Sequence, residues 1–288
     1  EYRKGRTPNP DVMCNKYVKF GAFLKKALSM GADYVATGHY AQAESVKENL
    51  SRVGARLRVK RANFSLPMQL LKGQDPTKDQ AYFLWTLRQE QLSKILFPVG
   101  HLQKSEVRKL ASKFKLPVAE KKDSQGICFL GDIDLKEFLK HYIKEKKGKV
   151  LNERGEVIGH HTGVAFITLG ARHGFVITKK GTNDGPYYVV GKDIKKNILI
   201  VSQNKNIESP NNCLNYELEN VNWILDIPKE GKNYTAQIRY HGEFLSCQVK
   251  HINKKRVQII FSKPTIVAGG QSIVIYEKDV CLGGGVVI

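Results

Sequence analysis

In the first half of the chain, apolar residues recur three times at the spacing of an amphipathic helix. The three sets are Phe20, Phe23, Leu24, Ala27 and Leu28; Val107, Leu110, Ala111 and Phe114; and Leu135, Phe138, Leu139 and Tyr142. Between the first two sets, Tyr34-Val35-Ala36 predicts a short buried strand that runs into Thr37-Gly38-His39-Tyr40. Because open parallel sheets bind ligands at the carboxyl ends of their strands, this turn is the expected ligand edge of an α/β domain.

From Lys146 onward the pattern changes to short alternating runs separated by glycine turns and charged residues. This change predicts a domain boundary with β-structure beyond it. The predicted strands lie at residues 165–169, 175–178, 187–190, 234–240, 244–251, 256–261 and 272–277. The first three indicate a small β-rich central domain, and the last four a compact antiparallel barrel. We therefore divide the chain into an α/β domain at residues 1–145, a β-rich domain at 146–205 and a C-terminal β-barrel at 206–288.

Charge indicates the class of partner. The 288 residues include 47 Lys and Arg but only 27 Asp and Glu, which gives a formal net charge of +20. Such an excess is typical of proteins that bind a polyanion, and nucleic acid is the first candidate. A solubilising surface or an anionic lipid would also account for it, but no basic amphipathic helix with bulky apolar residues favours a membrane.

Length and hydropathy bound the remaining possibilities. A hydrophobic content of 41% in a chain of this length is enough for two or three domain cores. No run approaches the ~20 apolar residues that span a bilayer. The first residues, Glu1-Tyr2-Arg3-Lys4, lack the apolar core of a signal peptide. We therefore expect a cytoplasmic protein with no membrane segment.

The five cysteines are Cys14, Cys128, Cys213, Cys247 and Cys281. They include no C-x-x-C pair and their number is odd, so neither a zinc site nor a disulfide framework is expected. Cys247 alternates with apolar neighbours in a strand-like run and is interpreted as a core residue, as Cys213 and Cys281 are by default. In a reducing cytoplasm a thiol pair is more often catalytic than structural, which favours that role for Cys14 and Cys128.

The stretch Thr7-Pro8-Asn9-Pro10-Asp11-Val12-Met13-Cys14-Asn15 holds the first of these thiols. Each proline fixes its own φ and keeps the residue before it out of the helical region, which predicts a stiff extended loop. Asp11 is expected to open a helix as its N-cap, with Cys14 on the same side of the first turn. The helix dipole there favours a reactive thiolate. Taken alone, the stretch is better explained as a capping Asp followed by a buried Cys.

The stretch Lys78-Asp79-Gln80 predicts the start of a helix rich in aromatic residues that runs to Leu87. Asp79 has a plausible capping role and Lys78 a phosphate-binding role. Without further context, a solvated helix start is the better interpretation. Before this stretch, residues 44–67 are polar and basic, and they predict a surface hairpin with an insertion and a strand at 57–61.

Arg239 and Tyr240 are expected at the end of a barrel strand. A guanidinium can pair with phosphate or stack on a base, and a tyrosine ring can stack on a base. A salt bridge at the barrel rim and a core tyrosine explain the two residues about as well.

The second thiol lies in Lys122-Asp123-Ser124-Gln125-Gly126-Ile127-Cys128-Phe129-Leu130-Gly131. Together with the Cys14 stretch, Ala36-Thr37-Gly38-His39-Tyr40 and Lys78-Asp79-Gln80, it resembles the motifs of the tRNA-specific 2-thiouridylases (the MnmA/TrmU family), and all four occur in family order. The resemblance continues through Gly191-Lys192-Asp193 with Asn197, Arg239-Tyr240, Gly270-Gln271-Ser272 and Cys281-Leu282-Gly283-Gly284-Gly285. It therefore covers nearly the whole chain.

The resemblance implies the C-terminal part of an adenine-nucleotide alpha hydrolase-like parallel-sheet domain, followed by the two β domains. Family members activate the C2 oxygen of the wobble uridine with ATP, with Mg²⁺ expected beside it, and replace it with sulfur carried as a cysteine persulfide. By matching motif, Cys128 would hold the persulfide, Cys14 would be the second catalytic cysteine, and Asp11 would serve acid/base chemistry or position the base. A transient disulfide between the two cysteines would release the sulfur.

The same resemblance implies the binding residues and partners. Gly38 would let the nucleotide approach the backbone. The implied tRNA-binding residues are Asn9, Pro10, Asp11, His39, Lys78, Asp79, Gln80, Arg239, Tyr240 and Gln271. The first three of these would line the pocket of a flipped base. The partners are then tRNA and a sulfur-relay or cysteine desulfurase donor protein.

The sequence departs from the family pattern in two places. The family opens with a Ser-Gly-Gly-x-Asp-Ser loop that binds the ATP phosphates, and no stretch here matches it, so we expect the chain as given not to thiolate tRNA from ATP by itself. In addition, Gly170-Ala171-Arg172-His173-Gly174 stands where the family more often has Gly-Gln-Arg-Lys-Gly. The main alternative is a non-catalytic tRNA-binding module of that family, and the second is another ATP-pyrophosphatase enzyme. Retention of Cys14 and Cys128 argues against both.

Overall fold

The computed structural model describes residues 1–46, 66–120, 134–179, 181, 185–204, 212–253 and 255–288. The Cys128 stretch, the strand predicted at 57–61 and most of the predicted insertion lie outside the described residues. In the part of the chain that the structure describes, no helix is long and apolar enough to cross a membrane.

The first long helical segment runs from Pro10 to Ser29, after a 3₁₀ turn at Tyr2–Lys4. It consists of α1 (Pro10–Met13), a π-helical segment (Cys14–Phe23) and α2 (Leu24–Ser29). Gly31 follows its end with a φ of 91°. The predicted apolar face is only partly correct, since Phe20 is buried but Phe23 is 52% exposed. Hydrogen bonding from i to i+5 widens the helix and moves side chains off the 3.6-residue spacing.

A two-stranded parallel sheet comes after this helix. It pairs β1 (Val35–Ala36) with β4 (Ile95–Leu96), so the strand predicted at Tyr34-Val35-Ala36 forms, but of its residues only Val35 is buried. The described chain also contains α3 (Gln89–Leu92), α4 (Lys104–Lys113) and α5 (Leu135–Lys140). Helices α4 and α5 confirm that helices form at the two predicted places, but Phe114 and Tyr142 lie beyond their ends and neither helix contains a fully buried residue.

The aromatic helix predicted from Lys78 to Leu87 is wrong, because this region forms only a single 3₁₀ turn at Ala81–Leu84. Tyr82, Leu84, Trp85 and Leu87 are all buried. A helix at the surface would turn part of this set toward solvent, whereas the irregular chain buries every member. Tyr82 and Trp85 therefore belong to the core rather than to one face of a helix, while Phe83 between them is half-buried.

The central β-rich region is a five-stranded sheet. Its strands are β5 (Gly148–Leu151), β6 (Val157–His161), β7 (Phe175–Ile177), β8 (Tyr188–Asp193) and β9 (Ile198–Ser202), in the order β7-β6-β5-β9-β8. The strand predicted at 165–169 is wrong, because Val164–Phe166 is a 3₁₀ turn. Val164 and Ile167 both enter the core three residues apart, which is the spacing of a 3₁₀ turn, whereas a strand would place them on opposite faces.

The C-terminal strands close into the predicted antiparallel barrel. They are β10 (Asn212–Trp223), β11 (Asn233–Gln237), β12 (Leu245–Asn253), β13 (Arg256–Ile266), β14 (Ser272–Glu277) and β15 (Val280–Val287). The order is β10-β13-β12-β11-β14-β15, and β15 pairs back with β10. The barrel interior is filled by one apolar cluster that includes Leu218, Ile259 and Ile273.

The first part of the chain is joined to this barrel by both a sheet and a core. An antiparallel hairpin of β2 (Ala41–Ser45) and β3 (Met68–Lys72) extends the barrel sheet, because β3 pairs with β15. Tyr82 and Trp85 share a core with Tyr276 of β14. The Tyr82 hydroxyl donates to the Ser272 carbonyl at 3.1 Å. This packing fixes the position of the first helical segment relative to the barrel.

Candidate active site

One cavity of about 600 Å³ opens between the first helical segment, the central sheet and the barrel. The described residues that line it come from seven separate parts of the chain. They are Tyr2, Thr7, Pro8, Asn9, Pro10, Asp11, Phe83, Leu135, Lys136, Leu139, Phe166, Thr168, Arg239, Tyr240 and Gln271. The structure therefore brings together six of the residues that family resemblance assigned to tRNA: Asn9, Pro10, Asp11, Arg239, Tyr240 and Gln271.

One wall of the cavity is the loop that leads into α1. Asn9 is the N-cap of α1, and its side-chain oxygen accepts a hydrogen bond from the Val12 amide at 3.2 Å. The prediction of Asp11 as N-cap was wrong, because Pro10 takes the first helical position, which suits a residue without an amide hydrogen. Asp11 lies in the first turn, so its carboxylate is directed by α1 without being used as the cap.

The Asp11 carboxyl is half-buried at this wall. Burial raises the pKa of Asp11, and the positive charge of Lys19 partly opposes that rise. Cys14 is also half-buried, and it is the first residue of the π-helical segment. A carboxyl with a raised pKa, three residues before a half-buried thiol in the same continuous helical segment, is chemically suited to proton transfer, although Cys14 is not among the described residues that line the cavity.

The opposite wall is aromatic and basic. Arg239 and Tyr240 lie just beyond β11, which ends at Gln237 and not at Tyr240 as predicted, with Arg239 exposed and Tyr240 half-buried. The Tyr240 ring lies 4.5 Å from Phe83 and is stacked on His241 at 3.8 Å, measured between ring centroids. Flat rings beside a guanidinium at the mouth of a cavity form a surface that suits a nucleobase and its phosphate.

The ligand edge of the parallel sheet, Thr37 to Tyr40, contributes none of the described residues that line the cavity. The His39 Nε2 atom is 3.2 Å from Lys19 Nζ, and Nδ1 is 2.8 Å from the Thr37 hydroxyl. Because a lysine ammonium only donates, Nε2 must accept, which assigns the proton to Nδ1. Burial first, and then the charge of Lys19, lower the pKa of His39 to about 3. His39 is therefore neutral at physiological pH and holds Lys19 in place.

The Lys78-Asp79-Gln80 stretch supports this same edge. The Asp79 Oδ1 atom accepts hydrogen bonds from the Gly73 amide at 2.9 Å and the Ala81 amide at 3.1 Å. Gln80 bonds Tyr40 twice, through its backbone amide and through Oε1. Asp79 is buried, and burial raises its pKa. The described contacts of Asp79 and Gln80 are thus structural, and neither residue lines the cavity.

Several lining residues were not assigned to the site from the sequence. The sequence pattern places Phe83 in the predicted helix, and it places Leu135 and Leu139 on one apolar face at i, i+4 spacing. Phe166 and Thr168 carry no local signal, because only the fold brings them to the cavity. Cys128 lies outside the described residues, so its distance from Cys14 stays a prediction.

The other cysteines bear on the choice of thiols. Cys247 and Cys281 are buried in apolar clusters, which confirms the prediction that they are core residues. Burial raises the pKa of Cys247 to about 12 and raises that of Cys281 as well. Neither thiol can supply a thiolate near neutral pH.

Comparisons with protein-family models define the class of protein. Residues 1–132 match a model described as "tRNA methyl transferase HUP domain", residues 136–203 one described as "tRNA methyl transferase PRC-barrel domain", and residues 215–287 one described as "Aminomethyltransferase beta-barrel domain". The fold and the cavity thus define a tRNA-modifying transferase class, with an α/β domain followed by a β-rich domain and a barrel.

Relatives named "tRNA-specific 2-thiouridylase MnmA" are similar over the whole chain. The protein of Buchnera aphidicola is 45% identical over 297 residues, covering 100% of this chain and 74% of that protein. Those of Geobacillus thermodenitrificans and Nitrosomonas europaea are each 44% identical, again over 100% of this chain, and over 72% and 75% of their own lengths. The chain belongs to the tRNA-specific 2-thiouridylase family.

Proposed function

We propose that this protein, together with a phosphate-binding loop that no stretch of these 288 residues matches, replaces the C2 oxygen of the wobble uridine of tRNA with sulfur, using ATP and a cysteine persulfide. The observation that carries the proposal is the cavity in which Asn9, Pro10 and Asp11 face Arg239 and Tyr240. These two groups lie far apart in the chain and in different domains of the fold. Their meeting at one cavity supports a substrate that both must hold.

The cavity suits a base that has left its stack. A flipped pyrimidine needs a snug pocket with polar groups for its edge and a flat surface for its ring. Asn9 and Asp11 offer the polar groups, and the side chains of Phe83 and Tyr240 line the same cavity with aromatic surface. Arg239 lies at the exposed side, where the phosphates of the strand would pass. The net charge of +20 favours the same polyanionic partner.

We assign ATP to the ligand edge that comes after β1. A Cβ built at Gly38 would meet no atom within 4 Å, so the backbone there is open to a close approach by a nucleotide. When bound, ATP with Mg²⁺ would supply the adenylyl group that makes the C2 oxygen a leaving group. The neutral His39 keeps the Lys19 ammonium beside this edge.

The sulfur chemistry belongs to the cysteines and Asp11. A persulfide on Cys128, loaded by a sulfur-relay or cysteine desulfurase protein, would attack C2 with its outer sulfur, and the adenylated C2 oxygen would leave as AMP. Attack of the Cys14 thiolate on Cys128 Sγ would then leave that sulfur on the base and join the two cysteines as a disulfide. A thiol reductant returns both cysteines to thiols. Asp11, whose pKa burial raises, is placed to transfer protons at the base.

The test is discrimination at the wobble position. Two fluorescent anticodon stem-loops that differ only in uridine or cytidine at that position are titrated with the protein, and anisotropy gives both affinities. We expect the uridine stem-loop to bind about tenfold more tightly, since a mismatched buried polar group costs roughly 1–3 kcal/mol.

Asp11→Ala should abolish this preference. The matched control is Asp226→Ala, which removes the same charge at an exposed position that does not line the cavity. Equal affinity of the unaltered protein for both stem-loops would reject the proposed function.

A further inference from the structure

Every polar atom of Thr7 is bonded to a distant part of the chain. Its amide donates to the Gly269 carbonyl at 2.8 Å, and its carbonyl accepts from Gln271 Nε2 at 2.6 Å. Its hydroxyl lies 3.2 Å from the Thr168 hydroxyl. Gly269 and Gln271 belong to the barrel, in the loop between β13 and β14, whereas Thr168 lies just beyond the 3₁₀ turn of the central region. Thr7 is thus a junction of the three parts of the fold.

The barrel loop is shaped to receive Thr7. Gly270 has a φ of 90°, and a Cβ there would lie 3.1 Å from the backbone N, C and O atoms of Thr7. Because the opposing atoms are backbone, they cannot rotate away as a side chain would. The loop itself is tied to β15, since the Gly270 amide donates to the Val287 carbonyl and the Val287 amide donates to the Gln271 carbonyl. The junction therefore joins two rigid backbones.

The chain just before Thr7 is anchored in the same way. Lys192 Nζ donates to the Gly5 carbonyl at 2.8 Å and to the Ile167 carbonyl at 2.7 Å. Arg6 pairs with Glu219 of the barrel at 2.7 Å. The anchoring thus extends over three successive residues, from Gly5 to Thr7.

The residues directly after Thr7 are too rigid to compensate for a displacement of Thr7. Pro8 and Pro10 have fixed φ angles, and Asn9 caps α1, so the chain from Thr7 to Asp11 has little torsional freedom. A displacement at Thr7 would therefore move Asn9 and Asp11 with it.

We propose that Thr7 is the positioning residue of the site: held by the barrel loop and by Thr168, it keeps the wall of Asn9 and Asp11 at a fixed distance from the wall of Arg239 and Tyr240. The inference rests on the proposed function, in which the cavity between these walls takes the target base. Thr7 acts through the residues that come after it in the chain. Its expected signature is lost base discrimination with intact binding of the tRNA backbone.

Two kinds of variant test this role. Thr7→Val removes the hydroxyl and keeps the shape, while Thr7→Ser keeps the hydroxyl. Gly270→Ala pushes against the Thr7 backbone, and Gly231→Ala is its matched control, because Gly231 also has a positive φ of 74° but no atom within 4 Å of an added Cβ. Both glycine variants carry the left-handed strain, so their difference isolates the displacement of Thr7.

The first readout is the ratio of affinities for the uridine and cytidine stem-loops. We expect Thr7→Val to lower the ratio roughly two- to tenfold, as the loss of one hydrogen bond allows, and Gly270→Ala to lower it about tenfold through misplacement of the wall. The affinity ratio of Thr7→Ser and of Gly231→Ala should stay within about twofold of that of the unaltered protein. The affinity for the cytidine stem-loop should also stay within about twofold in every variant.

The second readout does not need tRNA. Amide hydrogen exchange at residues 9–14 should quicken in Gly270→Ala and not in Gly231→Ala, because only the former loosens the loop. The inference would be overturned if folded Thr7→Val and Gly270→Ala showed unchanged hydrogen exchange and an unchanged affinity ratio. It would also be overturned if the affinity ratio fell equally in Gly270→Ala and Gly231→Ala. If the unaltered protein itself lacked discrimination, the proposed function would fail while hydrogen exchange still decided the role of Thr7.

Discussion

Asp79 decides whether the Lys78-Asp79-Gln80 stretch contacts tRNA or holds the fold. Its buried carboxylate accepts hydrogen bonds from the Gly73 and Ala81 amides. Asp79→Ala removes the acceptor and leaves two buried amides unpaired, each at a cost of roughly 1–3 kcal/mol. The expected loss in unfolding free energy is therefore about 2–6 kcal/mol. Asp79→Asn keeps an oxygen for the amides and should cost only about 0.5–1.5 kcal/mol.

Urea unfolding followed by tryptophan fluorescence measures these losses, since Trp85 is buried in the core beside this stretch. The pH dependence supplies a second check. Burial raises the pKa of Asp79 in the folded protein above its usual 3.8, so the folded state binds the proton more tightly than the unfolded state. The unfolding free energy of the unaltered protein should thus fall, relative to Asp79→Asn, as pH rises from 3.8 through the folded pKa.

Stem-loop affinity measured on the same variants separates the two roles. If Asp79 is structural, Asp79→Asn should bind tRNA within about twofold of the unaltered protein, since the rest of the basic surface is retained. Asp226→Asn, at an exposed position, controls for the lost charge. A tenfold loss of affinity in Asp79→Asn with unchanged unfolding free energy would refute the structural assignment.

Two further predictions concern the partner and the thiols. The affinity for tRNA, measured by filter binding, should fall by roughly 0.7–0.9 log units per log unit of salt for each phosphate neutralised. Arg239→Ala should weaken this binding without changing sulfur loading on Cys128. An affinity that does not change with salt would contradict an RNA partner. Mild oxidation followed by mass spectrometry should recover a peptide in which Cys14 is disulfide-bonded to Cys128. Such a bond requires their Cα atoms to approach to ~4.4–6.8 Å in some state. Recovery of only other cysteine pairings would contradict this assignment.

Strand alternation predicted much of the second half of the fold. The strand predicted at 272–277 coincides with β14, and the strand predicted at 256–261 is extended to Ile266 in β13. Alternation works here because one face of each strand fills the barrel. It failed at 165–169, where Val164 and Ile167 enter the core at the spacing of a 3₁₀ turn. Local patterns thus succeed where one face is buried and fail where the chain is buried on several sides.

The sequence predicted which motif residues belong to the site, but it did not predict which other residues the fold brings next to them. Family resemblance, rather than spacing, pointed to Asp11, Arg239 and Tyr240, which the fold brings to one cavity. The sequence carried no signal for Thr168 or Phe166, because their place at the cavity depends on contacts with residues far along the chain. The N-cap was misassigned to Asp11 for a local reason, since both Asn9 and Asp11 are good caps and only Pro10 between them favours Asn9.

The pairing of β15 also constrains the order in which the strands of the barrel sheet can pair while the chain is being synthesised. Val280 and Cys281 pair with Leu71 and Leu70 of β3, while the residues from Gly283 to Val287 pair with β10 and close the barrel. The hairpin of β2 and β3 leaves the ribosome long before β15 exists, so the outer edge of β3 stays without its partner strand throughout that interval. Such an edge is open to pairing with other chains. When β15 is finally synthesised, its pairing covers the edge of β3 and, through β10, closes the barrel.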